Sequence, residues 1–470
     1  VSTTTTLGAS PSRARWLALL VAAAFFMDNL DATVIVTALP AMARSFGVGP
    51  VDVNVGITTY VLTLAVFIPA SGWMAERFGH RRVFMGALLL FTLASVLCAG
   101  SQTLWQFVLA RALQAVGGAM MVPVGRLAVL RNTEKQHLLG AIALITWPGL
   151  VAPVLGPPLG GFITSYASWH WIFLLNLPLG LLALVFAWRL MPQQPAATQP
   201  QPFDLIGFAY CALGCASLVH GLEQVGKAPA AAANYLWLGA SALLLWALYR
   251  HLGKAQAPLL RLEALRVHTY AVTVRGGSLY RAMVSTAPFL LPLMFQLGFG
   301  LEPYVSGLLV LALFAGNIGM KPMTSPILRR LGFRATLLAS IAVLAATCFA
   351  CAAMTPATPL WLMVPVLIIS GMARSMGFTA YHSLAFADMP APLMTSANTL
   401  FSMVQQLAFG LGIAAAVILL RAAEGLLEVS PGSLEAFHLA FCAVGILTLA
   451  AGMDAWSLAP KAGANVSGQR

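Results

Sequence analysis

The sequence predicts an all-α polytopic membrane protein, and three observations carry that expectation. Apolar residues make up 59% of the 470 and charged residues only 9%, whereas soluble domains carry about a quarter charged residues. Fourteen apolar stretches follow one another along the chain, and a bilayer span needs about 20 such residues. The basic residues gather on alternate connections between those stretches, as they do in cytoplasmic loops.

The first 15 residues are rich in Ser and Thr and close on Arg13 and Arg15, which reads as a cytoplasmic tail. The apolar run from Trp16 is too long for the core of a signal peptide, and more spans follow it, so it reads as a retained first helix. Helices are predicted over 16–42, 51–75, 83–101, 104–127, 138–165, 169–190, 204–223, 234–252, 269–297, 303–322, 333–354, 358–381, 397–421 and 434–456. Lipid leaves no water to satisfy an open backbone, and these runs exceed the length of barrel strands, so helices and not strands are expected.

An internal repeat groups them. Arg77-Phe78-Gly79-His80-Arg81 returns as Arg330-Leu331-Gly332-Phe333-Arg334, 253 residues on, and each joins the second and third helix of a set of six. Two six-helix bundles are therefore expected, 16–190 and 269–456. Residues 191–268 hold two further helices and their linkers, the Pro/Gln stretch 191–202 and the basic stretch 253–267. Residues 457–470 form a second cytoplasmic tail. Repeated bundles about a midplane site are the common build of secondary transporters.

With the N-terminus inside, 19 Lys and Arg fall on the cytoplasmic side against 3 outside (Arg44, Lys227 and Arg421). That split supports the span count and cytoplasmic termini at both ends. It also explains the net charge of +12 without nucleic acid as a partner. Trp16, Trp73, Trp105, Trp169, Trp188, Trp361 and Trp456 lie near segment ends, as an interfacial belt requires.

Ionisable groups inside a bilayer are costly and point to function. Asp28 and Asp31 lie in the first segment and Arg111 in the fourth. At 1.5 Å per residue, Asp31 and Arg111 both lie about 10–14 Å below the outer surface. They can form a static ion pair, or Asp31 can take up a proton when Arg111 swings away. Asp28, one turn further in, is the alternative proton or substrate site. In the second bundle Arg275 and Arg281 lie in one segment and Arg374 in another, with Asp454 as the one plausible intramembrane acid. Uncompensated arginines facing a cavity favour an anion; Arg275 and Arg374 could instead reach to the cytoplasmic face.

The fifth segment carries Pro148, Gly149, Pro153 and then Gly156-Pro157-Pro158-Leu159-Gly160-Gly161. Small residues allow close helix approach, and proline bends a helix where a bundle must flex. The stretch Gly221 to Ala228 nearly matches a phosphate loop, but it lacks the final Ser or Thr and follows no strand, which excludes ATP-driven transport by this chain. The six cysteines all fall in apolar runs and read as buried thiols, with no metal expected.

Several of these stretches together resemble the fourteen-span drug:proton antiporters of the major facilitator superfamily. Gly72 to Arg82 resembles that superfamily's loop 2–3 signature, with Glu76 where Asp is usual. Leu30 to Pro40 resembles the span-1 pattern LDxTIVNVALP, with Val36 in place of Asn. Arg111 to Gly118 resembles RxxQGxG, with Ala115 in place of Gly, and Gly156 to Gly161 resembles GPxxGG. Trp169 to Gly180 resembles the WRWIFxxNxPxG signature of the fourteen-span class. The resemblance implies the major facilitator fold in a bacterial inner membrane and export of a small-molecule substrate driven by the proton gradient, with no cofactor. It gives Arg111 a part in proton coupling and makes Gln114 a substrate-binding candidate beside the arginines. Glu76, Arg77, Gly79, Arg81 and Arg82 become the residues that latch the cytoplasmic helix ends. A transport-inactive sensor, or a membrane-embedded enzyme, is the alternative. Nothing in the sequence fixes the oligomeric state, for which a monomer is the expectation.

Overall fold

The computed structural model describes residues 11–48, 50–193, 202–227 and 232–467. Every regular element among them is a helix. In chain order these are α1 (Pro11–Phe46), α2 (Pro50–Phe67), α3 (Ala70–Phe78), α4 (His80–Ala99), α5 (Leu104–Asn132), α6 (Lys135–Tyr166), α7 (His170–Leu174), α8 (Asn176–Leu190), α9 (Leu205–Lys227) and α10 (Ala232–Leu252). Then follow α11 (His268–Val274), α12 (Gly276–Leu293), α13 (Pro303–Gly319), α14 (Lys321–Ala352), α15 (Leu360–Ala387), α16 (Met394–Leu427), α17 (Leu434–Trp456) and α18 (Ala464–Ser467).

Each of the fourteen predicted segments is helical. Among the described residues ten helical stretches are long and apolar enough to cross a membrane, or eleven if the pair α2–α3, bent by 58°, is one span. Three predicted segments fall outside that count, α10 among them, and the other two have local causes. α13 has only 17 residues, and the segment from 269 breaks at Arg275, whose ψ of −79° separates α11 from α12. The Pro/Gln linker 194–201 lies outside the described residues.

The chain divides into two compact units. The first comprises residues 1–213, 247–261 and 391–400, the second 214–246, 262–390 and 401–470. In the first, α1 lies along α6, α4 along α5, and α5 meets α2, while α8 closes on α1 and α4. Its outer core joins Leu30, Val34, Phe107, Trp169 and Phe173. Trp169 is thus buried against Phe46 and Phe173, not at an interface as its place near a segment end suggested. In the second unit the pairings repeat: α14 with α15, α13 with α15, α14 with α17, and α12 with α17.

The repeat read from sequence has a backbone counterpart. Gly79 has φ 85° and Gly332 φ 74°. Gly79 lets α3 stop and α4 start within a residue, and Gly332 kinks α14, each in a conformation that L side chains adopt only with strain. The Gly79 amide still closes the α3 turn on the Ala75 carbonyl at 3.0 Å.

The α1–α6 seam explains two of the glycines in the fifth segment. A Cβ at Gly156 would stand 2.3 Å from the Thr33 hydroxyl, and one at Gly160 2.5 Å from the Val34 carbonyl. Gly161 differs: nothing lies within 4 Å of the Cβ it lacks. α6 runs unbroken through Pro148, Pro153 and Pro157. The apparent phosphate loop is the last turns of α9 through Lys227, with Ala228 outside the described residues. All six cysteines are free thiols, five of them buried and Cys442 half-buried.

Candidate functional site

The site in the first unit grows from four helices, α1, α4, α5 and α8, whose polar groups meet at a common level. Asp31 on α1 and Arg111 on α5 meet as an ion pair at 2.6 Å, with both side chains fully buried. Gln114, one turn along α5, accepts from Arg111 Nη1 and donates from Nε2 to Asp31 Oδ1 at 2.8 Å. Asn176, at the start of α8, donates to the same oxygen at 2.8 Å. Ser95 on α4 accepts from Gln114 at 2.8 Å and from Asn176 at 3.2 Å. The Asp31 carboxylate therefore receives three donors, one of them charged. Such charge-assisted bonds are the strong ones, the more so in a low-dielectric interior.

Arg111 does not spend all its donors this way. Its Nε and Nη2 are buried without an acceptor. The guanidinium instead lies over the Tyr60 ring, 4.2 Å from the centroid, with Phe173 at 5.8 Å. A ring face attracts a cation without needing a lone pair. The Tyr60 hydroxyl donates to Asp28 Oδ1 at 2.5 Å. Tyr60 thus touches both ionic groups, its face on Arg111 and its hydroxyl on Asp28. Gly118 makes room for that bond, since a Cβ there would lie 2.8 Å from Asp28 Oδ1 and 3.0 Å from the Tyr60 oxygen.

The structure brings Asp31 and Arg111 together as their matched depth implied, sets Asp28 beside them through Tyr60, and joins Gln114, read from the sequence as a substrate-binding candidate, to the same network. Tyr60, Ser95 and Asn176 are added to them. Asn176 falls in the quoted Trp169–Gly180 stretch, so a signal existed for it; for Tyr60 and Ser95 there is none, as uncharged polar residues are common in spans.

The three arginines of the second unit do not share one environment. Arg281 on α12 is 1% exposed, with Nη1 3.5 Å from the Thr273 carbonyl and its guanidinium 4.6 Å from the Phe401 ring centroid. Arg374 is 6% exposed near the middle of α15, with Nε and Nη1 buried without an acceptor. Its burial near the middle of α15 speaks against the alternative in which Arg374 extends to the cytoplasmic face. Arg275 is 63% exposed and pairs with Asp454 at 3.5 Å, which separates it from the other two.

The loop 2–3 residues act at the end of the first unit. Arg81 donates to the Trp188 carbonyl at 2.6 Å, capping α8. Arg77 lies over Trp73 and Phe78. Glu76 is exposed and within electrostatic reach of Arg131, which donates to Thr395. Trp73, Glu76, Arg77, Asp204, Arg261 and Thr395 line a cavity of about 170 Å³. Arg82 borders a larger apolar one of about 700 Å³ beside Phe78 and Phe203. Next to the first, Asp204 sits just outside the span that begins at Leu205. It caps α9 through the Gly207 amide at 2.8 Å, pairs with His251 in the last turn of α10 at 2.8 Å, and accepts from the Leu259 amide in the linker beyond that helix at 3.0 Å. Burial opposes its ionisation, but these donors outweigh it and hold its carboxyl below the usual carboxylate range. No cluster able to hold a metal ion occurs among the described residues.

Comparison with known proteins gives a consistent picture. The model of the Major Facilitator Superfamily matches residues 21–413. A protein of Pectobacterium atrosepticum named "Putative multidrug resistance protein MdtD" is 40% identical over 413 residues, 87% of this chain and 88% of that protein. Its namesake in Serratia proteamaculans is 38% identical over 438 residues, 92% of this chain and 91% of that one. The human organic anion transporter MFSD10 has a similar fold, with TM-score 0.66 at 15% identity over 94% of this chain and 99% of that one. So does the proton:xylose symporter XylE, with TM-score 0.65 at 13% identity over 96% of each.

Proposed function

The chain belongs to the major facilitator superfamily and is a multi-pass membrane transporter, not an enzyme; from that premise we propose that it is a proton-coupled antiporter exporting small molecules across a bacterial inner membrane. The observation that carries this reading is the cluster of Asp28, Asp31 and Arg111 inside the first unit. Two carboxylates and one guanidinium inside a bilayer are expensive, and their net charge changes by one when a proton binds. Under a driving force of about 150 mV, each proton supplies about 3.5 kcal/mol, enough for an outward gradient of roughly 300-fold. Alternating access opens the cluster to each side in turn. Glu76, Arg77, Gly79, Arg81 and Arg82 latch the cytoplasmic ends, and the seam at Gly156 and Gly160 allows α1 and α6 to slide. Both termini are cytoplasmic, the gradient replaces any cofactor, and the working unit is a monomer.

Two substrate classes have support. The relatives' printed name favours drugs. Buried Arg281 and Arg374 favour an organic anion, because a guanidinium in low dielectric seeks a carboxylate. Arg275, tied to Asp454, is the weakest of the three arginine candidates, and Gln114 belongs to the proton cluster. Inside-out vesicles given a pH gradient and offered labelled citrate and a cationic dye side by side test both. Proton-driven citrate uptake lost in Arg281→Ala or Arg374→Ala supports the anion. Dye uptake alone removes it, and uptake of neither under any gradient speaks against proton-driven export of either class.

A further inference from the structure

We infer that Asp28, held by Tyr60 in the space left by Gly118, is the group that binds and releases the transported proton, while Asp31 and Arg111 stay an ion pair throughout. The inference rests on the proton-coupled reading and assigns roles within it.

The two carboxylates differ in what protonation would cost. Both Asp31 oxygens already face N–H donors: Gln114 and Asn176 on Oδ1, Arg111 on Oδ2. A proton there would meet another hydrogen, break the charge-assisted bond and leave Arg111 a buried cation without a counter-charge. Asp28 carries no such burden. Its hydrogen bond comes from the neutral Tyr60 hydroxyl on Oδ1. It makes no ion pair among the described residues, and it is half-buried where Asp31 is buried. A proton can join Oδ2 while the Tyr60 bond persists on Oδ1.

The charged and titratable groups facing Asp28 are few. α1 itself offers Asp31, α2 offers Tyr60 and α5 offers Arg111. α4 adds the Cys98 thiol, which donates to Gln114 Oε1 at 3.7 Å. α6 has no ionisable residue between His137 and Tyr166, α7 has His170 at its outer start, and α8 has none before Arg189. With Asp28 ionised the cluster holds two negative charges and one positive. With Asp28 protonated it is neutral, the form that low dielectric favours while both sides are closed. In the cycle an O–H bond forms on Asp28 with a proton from the outer water and breaks to the cytoplasmic water, with no other bond changed.

The test is infrared difference spectroscopy of the full-length protein in proteoliposomes, titrated from acid to alkaline buffer, with the proton itself as the ligand. A carrier must titrate near the working pH, clear of exposed carboxylates near about 4. The wild type is expected to show one such carboxyl band. Asp28→Asn removes it, Asp31→Asn leaves it, and Tyr60→Phe moves its midpoint. A band that survives in Asp28→Asn and vanishes in Asp31→Asn overturns the assignment and leaves proton coupling standing. No such band in the wild type overturns both. Should Asp31→Asn fail to fold, persistence of the band in Asp28→Asn alone decides against Asp28.

Discussion

At the scale of single residues, the ion pair sets the largest expected effect. Arg111→Ala leaves Asp31 buried with amide donors only, and should lower stability by about 3–5 kcal/mol, read as thermal unfolding in detergent. Arg111→Lys should recover only part, because an ammonium lacks the planar face that lies on Tyr60. The Asp31–Arg111 contact was legible in the sequence, since each is a rare intramembrane charge and their depths match. The bonds that Tyr60, Ser95 and Asn176 make around it were not. Tyr60, Ser95 and Asn176 are uncharged, and their partners lie between 19 and 145 positions away. The fate of the second-unit arginines was half legible: the sequence places Arg281 and Arg374 in spans, but only packing shows that Arg275 takes Asp454.

At the scale of elements, glycines that look alike in sequence should behave differently. Gly79→Ala forces a side chain into a left-handed conformation and should cost about 1–2 kcal/mol. Gly160→Ala presses a methyl onto the Val34 carbonyl and should cost about 1–3 kcal/mol. Gly161→Ala meets open space in a helix, and should be neutral or stabilising by roughly 0.5–1 kcal/mol. Ranking the three by unfolding temperature checks the seam. Asp204 gives a pH-dependent case. Its folded-state carboxyl is held below the usual range, so it contributes stability above the unfolded value near about 3.9 and loses it as pH falls through the lower folded value. Asp204→Ala should cost about 1 kcal/mol as a lost helix cap and speed proteolysis of the 253–261 linker at neutral pH. The variant should also lack the wild type's acid-side loss.

At the scale of the whole molecule, the twofold repeat was the most legible feature, because a five-residue signature marks equivalent loops and its glycine must recur for backbone reasons. Fourteen apolar segments were legible, and each is helical. Their division into ten or eleven full spans was not, since breaks at Arg275 and at the α2–α3 bend depend on backbone angles that hydropathy does not record. The Trp belt misled at Trp169, where aromatic packing overrides a position near a segment end.

The burial of the native thiols has a practical consequence for sidedness. With five cysteines buried and the sixth half-buried, a reporter cysteine added to a connection should dominate labelling by a bulky, membrane-impermeant maleimide in whole cells. Placed at Gln102 or Thr358 it should react from outside, and placed at Arg329 only after the membrane is opened. The reverse pattern would invert the assigned orientation.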